Sequence, residues 1–161
     1  MASRLGMDAL ARVIQSERAG VLHEMGRHAE ALALLEQAAA AEPVACRRAS
    51  ILNNQAVVRA ALGTPEELQK ALDAATTALA LVAACHDVDS QVRLALTAAD
   101  VELRLGRVEA AAARVAAVNP ENRRVALWRG LLDARIRRAE GRFEEARPAS
   151  GPWRWRRGPE G

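Results

Sequence analysis

Three groups of residues have the types from which chemistry could be built. His23-Glu24-Met25-Gly26-Arg27-His28 brings two histidines and a glutamate together, the ingredients of a zinc-protease helix. That chemistry needs two histidines four apart on one helical face. Here the spacing is five and a helix-ending glycine lies between them, so the segment reads as surface histidines flanking a turn. Cys85-His86 sets a thiol beside an imidazole, but adjacent residues on a helix point roughly 100° apart, and no second Cys or His is near enough in sequence to complete a tetrahedral metal site. The carboxylate pairs Glu66/Glu67 and Glu144/Glu145 fall at predicted helix N-termini, where the helix dipole accounts for them. Each turn glycine stands alone, which leaves no phosphate-cradling loop and no dinucleotide fingerprint. The expectation is a non-enzyme with no catalytic residues, no metal ligands and no cofactor.

The elements around these residues are helical. Leu10, Val13, Ile14, Val21, Leu22 and Met25 recur at spacings of three, four and seven, which predicts one apolar stripe on a helix over Asp8 to Met25. Gly26 ends it, because glycine takes the left-handed conformation past a helix without a Cβ penalty. His28 to Ala41 supplies a second helix, stopped by Glu42-Pro43. Val44 to Leu62 and a partner from Thr64 to about Cys85 repeat the pattern; Thr64-Pro65-Glu66-Glu67 has the composition of a capped N-terminus. A third pair follows, with Asp87 or Asp89 as cap, running to Gly106 and then from Val108 to Val118. Glu121 to Glu140 begins a fourth pair, ended by Gly141. Glycines 26, 63, 106 and 141 are thus 37, 43 and 35 residues apart, a spacing that indicates stacked helical repeats.

Composition agrees with an all-α fold. The 161 residues are 50% apolar, mostly Ala, Leu and Val, with no Tyr and one Phe, a mixture that favours close-packed helices over sheets. Lys70 is the sole lysine; the other basic residues are arginine, which with the alanine richness points to a GC-rich, bacterial-type coding sequence. The net charge of +3 is too small to argue for nucleic acid or anionic lipid. From Glu121 onward, however, eleven arginines face six acids, so the C-terminal end is basic. Cys46 and Cys85, in separate predicted helices, read as two small buried hydrophobes of a reducing cytosol. No apolar signal core opens the chain, and its longest apolar run is far short of the roughly 20 residues that span a bilayer. A cytoplasmic location without membrane insertion is expected.

The repeated unit resembles the tetratricopeptide repeat (TPR) family. Its pattern of a small residue, a turn glycine seven later, an alanine five further, another seven on, and a closing proline is met by Ala19, Gly26, Ala31, Ala38 and Pro43. Ala99, Gly106, Ala111 and Pro120 repeat most of it, Ala134, Gly141, Phe143 and Ala146 begin it again, and Ala56, Gly63, Ala71 and Ala78 fit with a longer turn. Leu52-Asn53-Asn54-Gln55-Ala56 is similar to a segment of the kinesin-light-chain-like branch. The resemblance implies a right-handed α-solenoid of antiparallel helix pairs, about three and a half repeats (8–43, 44–86, 87–120 and 121–147) within residues 7–147. Residues 148–161, with Trp153, Trp155 and interleaved arginines, are expected to form a disordered tail.

In that family the first helix of each pair lines a concave face. The resemblance therefore implies a groove bearing Asn53, Asn54, Arg93, Asp100, Arg104, Trp128, Arg135 and Arg138, with Ser16, Glu17, His23, Val57 and Thr97 beside them. The expected function is a protein-interaction scaffold for a peptide or acidic segment. Nucleic-acid binding through the Arg/Trp-rich end, where aromatics stack on bases and arginines pair phosphates, ranks second. A regulatory fragment of a bacterial transcriptional or signalling protein ranks third, by analogy alone. The oligomeric state is left open.

Overall fold

Ala, Leu and Arg are among the strongest helix formers, and the segments they dominate are helices. In the computed structural model, which describes residues 2–85 and 87–142 with side chains from Met7 onward, these are α1 (Ala2–Glu24), α2 (His28–Ala41), α3 (Ala45–Leu62), α4 (Pro65–Val82), α5 (Val88–Arg104), α6 (Val108–Ala116) and α7 (Arg123–Ala139). No strand occurs among the described residues. The expected continuation through Phe143 and Ala146, the tail 148–161 and His86 lie outside them.

One turn recurs. After α1, Gly26 sits at φ 75°, its N–H bonded to the His23 carbonyl, while the Arg27 N–H reaches back to Leu22. This is the Schellman pattern that closes the last carbonyls of a helix, and a Cβ at that φ is strained. Gly106-Arg107 and Gly141-Arg142 repeat both bonds with the same offsets. Thr64 caps α4 by accepting from the Glu67 N–H, and Asp87 caps α5 by accepting from Ser90. Glu67 does not return the bond of a capping box; its carboxylate is held instead by Arg59 and Lys70.

Consecutive helices pack on each other, and the odd-numbered ones also touch in sequence, α1 with α3, α3 with α5 and α5 with α7. The even-numbered helices make no comparable approach to one another. The contact positions are small: Ala19, Ala31, Ala38, Ala56, Ala71, Ala78 and Ala111 are all 0% exposed. Helix axes can approach to about 8–10 Å only where such side chains meet. Leu35, Leu96 and Leu132 fill the wider gaps.

The structure corrects two expectations. Of the α1 stripe only Leu22 faces the core: Leu10, Ile14, Val21 and Met25 are 57–62% exposed, Val13 is exposed as well, and α1 buries Leu22 together with Ala19. Leu127 and Leu131 on α7 are exposed in the same way. These are the first and last helices described, so each has neighbours on one side only, and periodicity cannot say which of two apolar arcs meets them. The second correction concerns the cysteines. Cys46 and Cys85 are not separate buried thiols but a disulfide, with a Cα–Cα distance of 5.8 Å. α3 and α4 each have 18 residues, so a tight turn at Gly63 brings their far ends level, with Cys46 in the first turn of one and Cys85 just past the other.

Candidate binding face

The odd helices lie side by side, and the gaps between them hold three cavities that share residues. The first, about 140 Å³ between α1 and α3, includes Arg12, Ser16, Glu42, Arg47 and Ser50. The second, about 20 Å³ between α3 and α5, takes Ser50 as well, with Asn53 and Arg93. The third, about 510 Å³ between α5 and α7, takes Arg93 again, with Asp89, Asn122, Arg124 and Trp128. Neighbouring cavities share a lining residue, Ser50 between the first two and Arg93 between the last two, so the three lie in a row across four helices, here called the furrow. Its lining mixes polar groups, four arginines among them, with apolar side chains such as Val13, Ile51, Leu94 and Val125.

The residues expected to bind divide into two sets. One set is occupied in joining odd helices to one another. Asn53 accepts from the Thr97 hydroxyl (2.8 Å), linking α3 to α5, and Asn54 donates to Ser16 Oγ (3.2 Å), linking α3 to α1. Thr97 is buried by this bond and does not face a groove. Asp100 accepts from Arg104 (2.8 Å) and from Arg135 across to α7, while Arg104 also donates to the Ala60 carbonyl on α3 (3.1 Å). The other set, with Asn53 also at the second cavity, lines the furrow: Arg93 is exposed, its guanidinium donating to Ser90 Oγ on its own helix (3.0 Å), and Trp128 shares its cavity while packing on the α5–α7 core. Arg138 is exposed at the end of α7, outside the three cavities.

The strongest electrostatic feature is one that sequence reasoning read only as a helix stop. Glu42, 1% exposed at the junction of α2 and α3, accepts from the Val44 N–H (2.9 Å), Arg12 Nε (2.9 Å) and Arg47 Nε (3.2 Å). Its carbonyl accepts from Arg48 Nε (2.8 Å). Burial pushes the carboxyl up, but the Val44 N–H and the two guanidinium groups outweigh it and bring the group down to about 2. The signal in the sequence is a glutamate before proline followed closely by Arg47-Arg48; its third cation, Arg12, is distant in sequence and reaches it only through the fold. A second buried carboxylate, Glu102, takes both prongs of Arg114 (2.6 and 3.0 Å), clamping α5 to α6 and raising the arginine through that hydrogen bond.

The turn also brings together what sequence spacing separated: His23 Nδ1 and His28 Nδ1 are 3.1 Å apart. No group of three or more His, Cys, Asp or Glu is arranged to hold a metal ion among the described residues, and no helix among them is long and apolar enough to cross a membrane. The chain matches no protein-family model and has no significant match among curated proteins.

Proposed function

We propose that the protein is a non-enzymatic interaction scaffold, a right-handed α-solenoid of TPR-like helix pairs that binds a peptide or acidic segment along the furrow of its odd-numbered helices. The observation that carries this is the row of three cavities across the odd-numbered helices, neighbours sharing Ser50 or Arg93. A furrow crossing four helices suits an extended chain better than a compact small molecule, which is taken up in a single enclosed pocket. Arg12, Arg47, Arg93 and Arg124 supply charge complementary to an acidic segment, which steers encounter and sets register. Trp128 offers a rigid aromatic surface of the kind that anchors interfaces. The buried alanines and the three matching glycine turns support the repeat reading.

Binding to an immobilised array of peptides graded in charge tests this. Acidic peptides are expected to be retained in a salt-sensitive manner, and Arg93→Ala to reduce retention at least about fivefold, since a charge-assisted hydrogen bond contributes roughly 1.5–3 kcal/mol. Far-UV circular dichroism of the variant should be unchanged, Arg93 being exposed. Equal retention of acidic and basic peptides, or retention indifferent to Arg93, refutes the proposal.

A further inference from the structure

The first cavity of the furrow has an organisation that the other two lack. Arg12 and Arg47 come from different helices, yet both use Nε on the two oxygens of one buried carboxylate, Glu42. A guanidinium has five N–H donors, and Nε accounts for one. Among the described residues neither arginine makes another side-chain bond, which leaves the Nη donors of both. Arg12 is only 14% exposed and lines this cavity, and among the described residues no buried side-chain nitrogen or oxygen lacks a partner, so its Nη groups keep contact with solvent.

The hydroxyls beside them are available in the same sense. Ser16 Oγ accepts from Asn54, so its own proton remains to be donated, and Ser50 contributes a second hydroxyl from α3. Glu42 is the internal counter-ion of this cluster, and Arg48, held on the Glu42 carbonyl, adds a further positive charge behind it. Glu17 is the acid at the rim; it is exposed and pairs with none of these arginines. The result is two guanidinium groups fixed by a buried carboxylate, with two hydroxyls, around a cavity of about 140 Å³.

From this geometry we infer that the α1/α3 end of the furrow is an oxyanion site, taking a carboxylate or phosphate group between Arg12 and Arg47 with Ser16 and Ser50 as additional donors. The inference rests on the proposed function for its place within a larger footprint, while the anion site stands on its own geometry. Prior anchoring at Nε lowers the cost of ordering two long side chains, which is what usually limits surface arginines. Glu42 is the positioning residue; the Nη groups and hydroxyls touch the ligand.

The test uses the full chain, isotope-labelled and titrated separately with inorganic phosphate and with acetate in low-chloride buffer, following the arginine Nε–H signals. Saturable shifts at Arg12 and Arg47 with a Kd on the order of 1 mM are expected for at least one anion, and the anion that saturates identifies the source. Arg47→Gln should weaken binding at least about tenfold and Arg47→Lys by less, since lysine keeps the charge and loses the fork. Glu17→Gln should tighten it severalfold by removing the competing rim charge. Arg47 is half-exposed, and unchanged helicity confirms that its variants are folded. No saturable shift with either anion, or a shift that survives Arg47→Gln, overturns the site. Anion binding without retention of acidic peptides refutes the scaffold reading and leaves the site standing; the reverse result removes the site alone.

Discussion

Reduction of the Cys46–Cys85 disulfide should cost the protein a large share of its stability. The bond joins residues 39 apart in sequence, and the chain-entropy relation for a loop of that length gives roughly 4 kcal/mol at 25 °C. The loop is not a generic one: it is the α3–α4 hairpin closed at its open end, so α3 and α4 cannot separate there while the covalent link is intact. Residual hairpin structure in the reduced, unfolded chain lowers the figure towards about 2 kcal/mol. For a domain of this size each kcal/mol moves the melting temperature by about 2–4 °C, so reduction should lower it by about 4–16 °C. Urea and thermal unfolding followed by far-UV circular dichroism, with and without reductant and on Cys46→Ser/Cys85→Ser, would measure this, together with alkylation and intact mass on the native protein. Quantitative alkylation of both thiols without reductant, or midpoints that coincide within about 0.5 kcal/mol, would refute the reasoning. The same thiol count on protein taken directly from its cells bears on the expected cytoplasmic location, since structural disulfides persist in oxidising compartments.

Glu42 should make the protein acid-sensitive. Its folded pKa of about 2 lies below the ordinary 4.5, so its contribution is complete above pH 4.5 and is lost as pH falls from there towards 2, amounting to about 3 kcal/mol. Glu42→Gln should open a stability gap of that order at neutral pH, and the gap should close across this acidic window in urea titrations; a gap of constant size would contradict the assignment. Two glycines should respond to the same substitution with opposite signs. Gly106→Ala places a Cβ at φ +75° and should destabilise by about 1–2 kcal/mol, whereas Gly130→Ala, within α7 and with nothing within 4 Å of the new methyl, should stabilise by about 0.5–1 kcal/mol. Matching signs in chemical denaturation would count against the turn geometry.

The all-α architecture and its turns were legible because they depend on local chemistry. A glycine seven residues past a small residue needs no tertiary information to be read as a helix end, and Gly26, Gly63, Gly106 and Gly141 all have positive φ. The alanines at the expected offsets in the first three helix pairs are buried for a similarly simple reason, that nothing larger fits. What was not legible depends on register between helices. The approach of Cys46 to Cys85 follows from the equal lengths of α3 and α4, which the reading of α4 as running to Cys85 obscured. The same holds for the candidate site. Sequence singled out Asp100, Arg104 and Arg135 as charges on one face, but only the fold shows that they are satisfied by one another. It gave no sign that Arg12, a whole hairpin away, meets Arg47 at Glu42.

The unequal neighbour pattern of odd and even helices has a mechanical consequence. Along the odd side, neighbouring helices are joined through part-buried side-chain bonds such as Asn53–Thr97 and Asn54–Ser16. Between the even helices the links are long side chains: Arg59, on α3, holds both Glu36 of α2 and Glu67 of α4, and Arg107, at the start of α6, reaches Gln69 of α4. Arg59 and Glu67 are mostly covered, but Glu36 is 56% exposed, and exposed ion pairs weaken as salt screens them. The molecule is therefore a row of odd helices in direct contact, on which the even helices are carried as separate ribs. Spreading the even ribs apart breaks no helix–helix contact between them, whereas spreading the odd row opens the gaps in which the furrow lies.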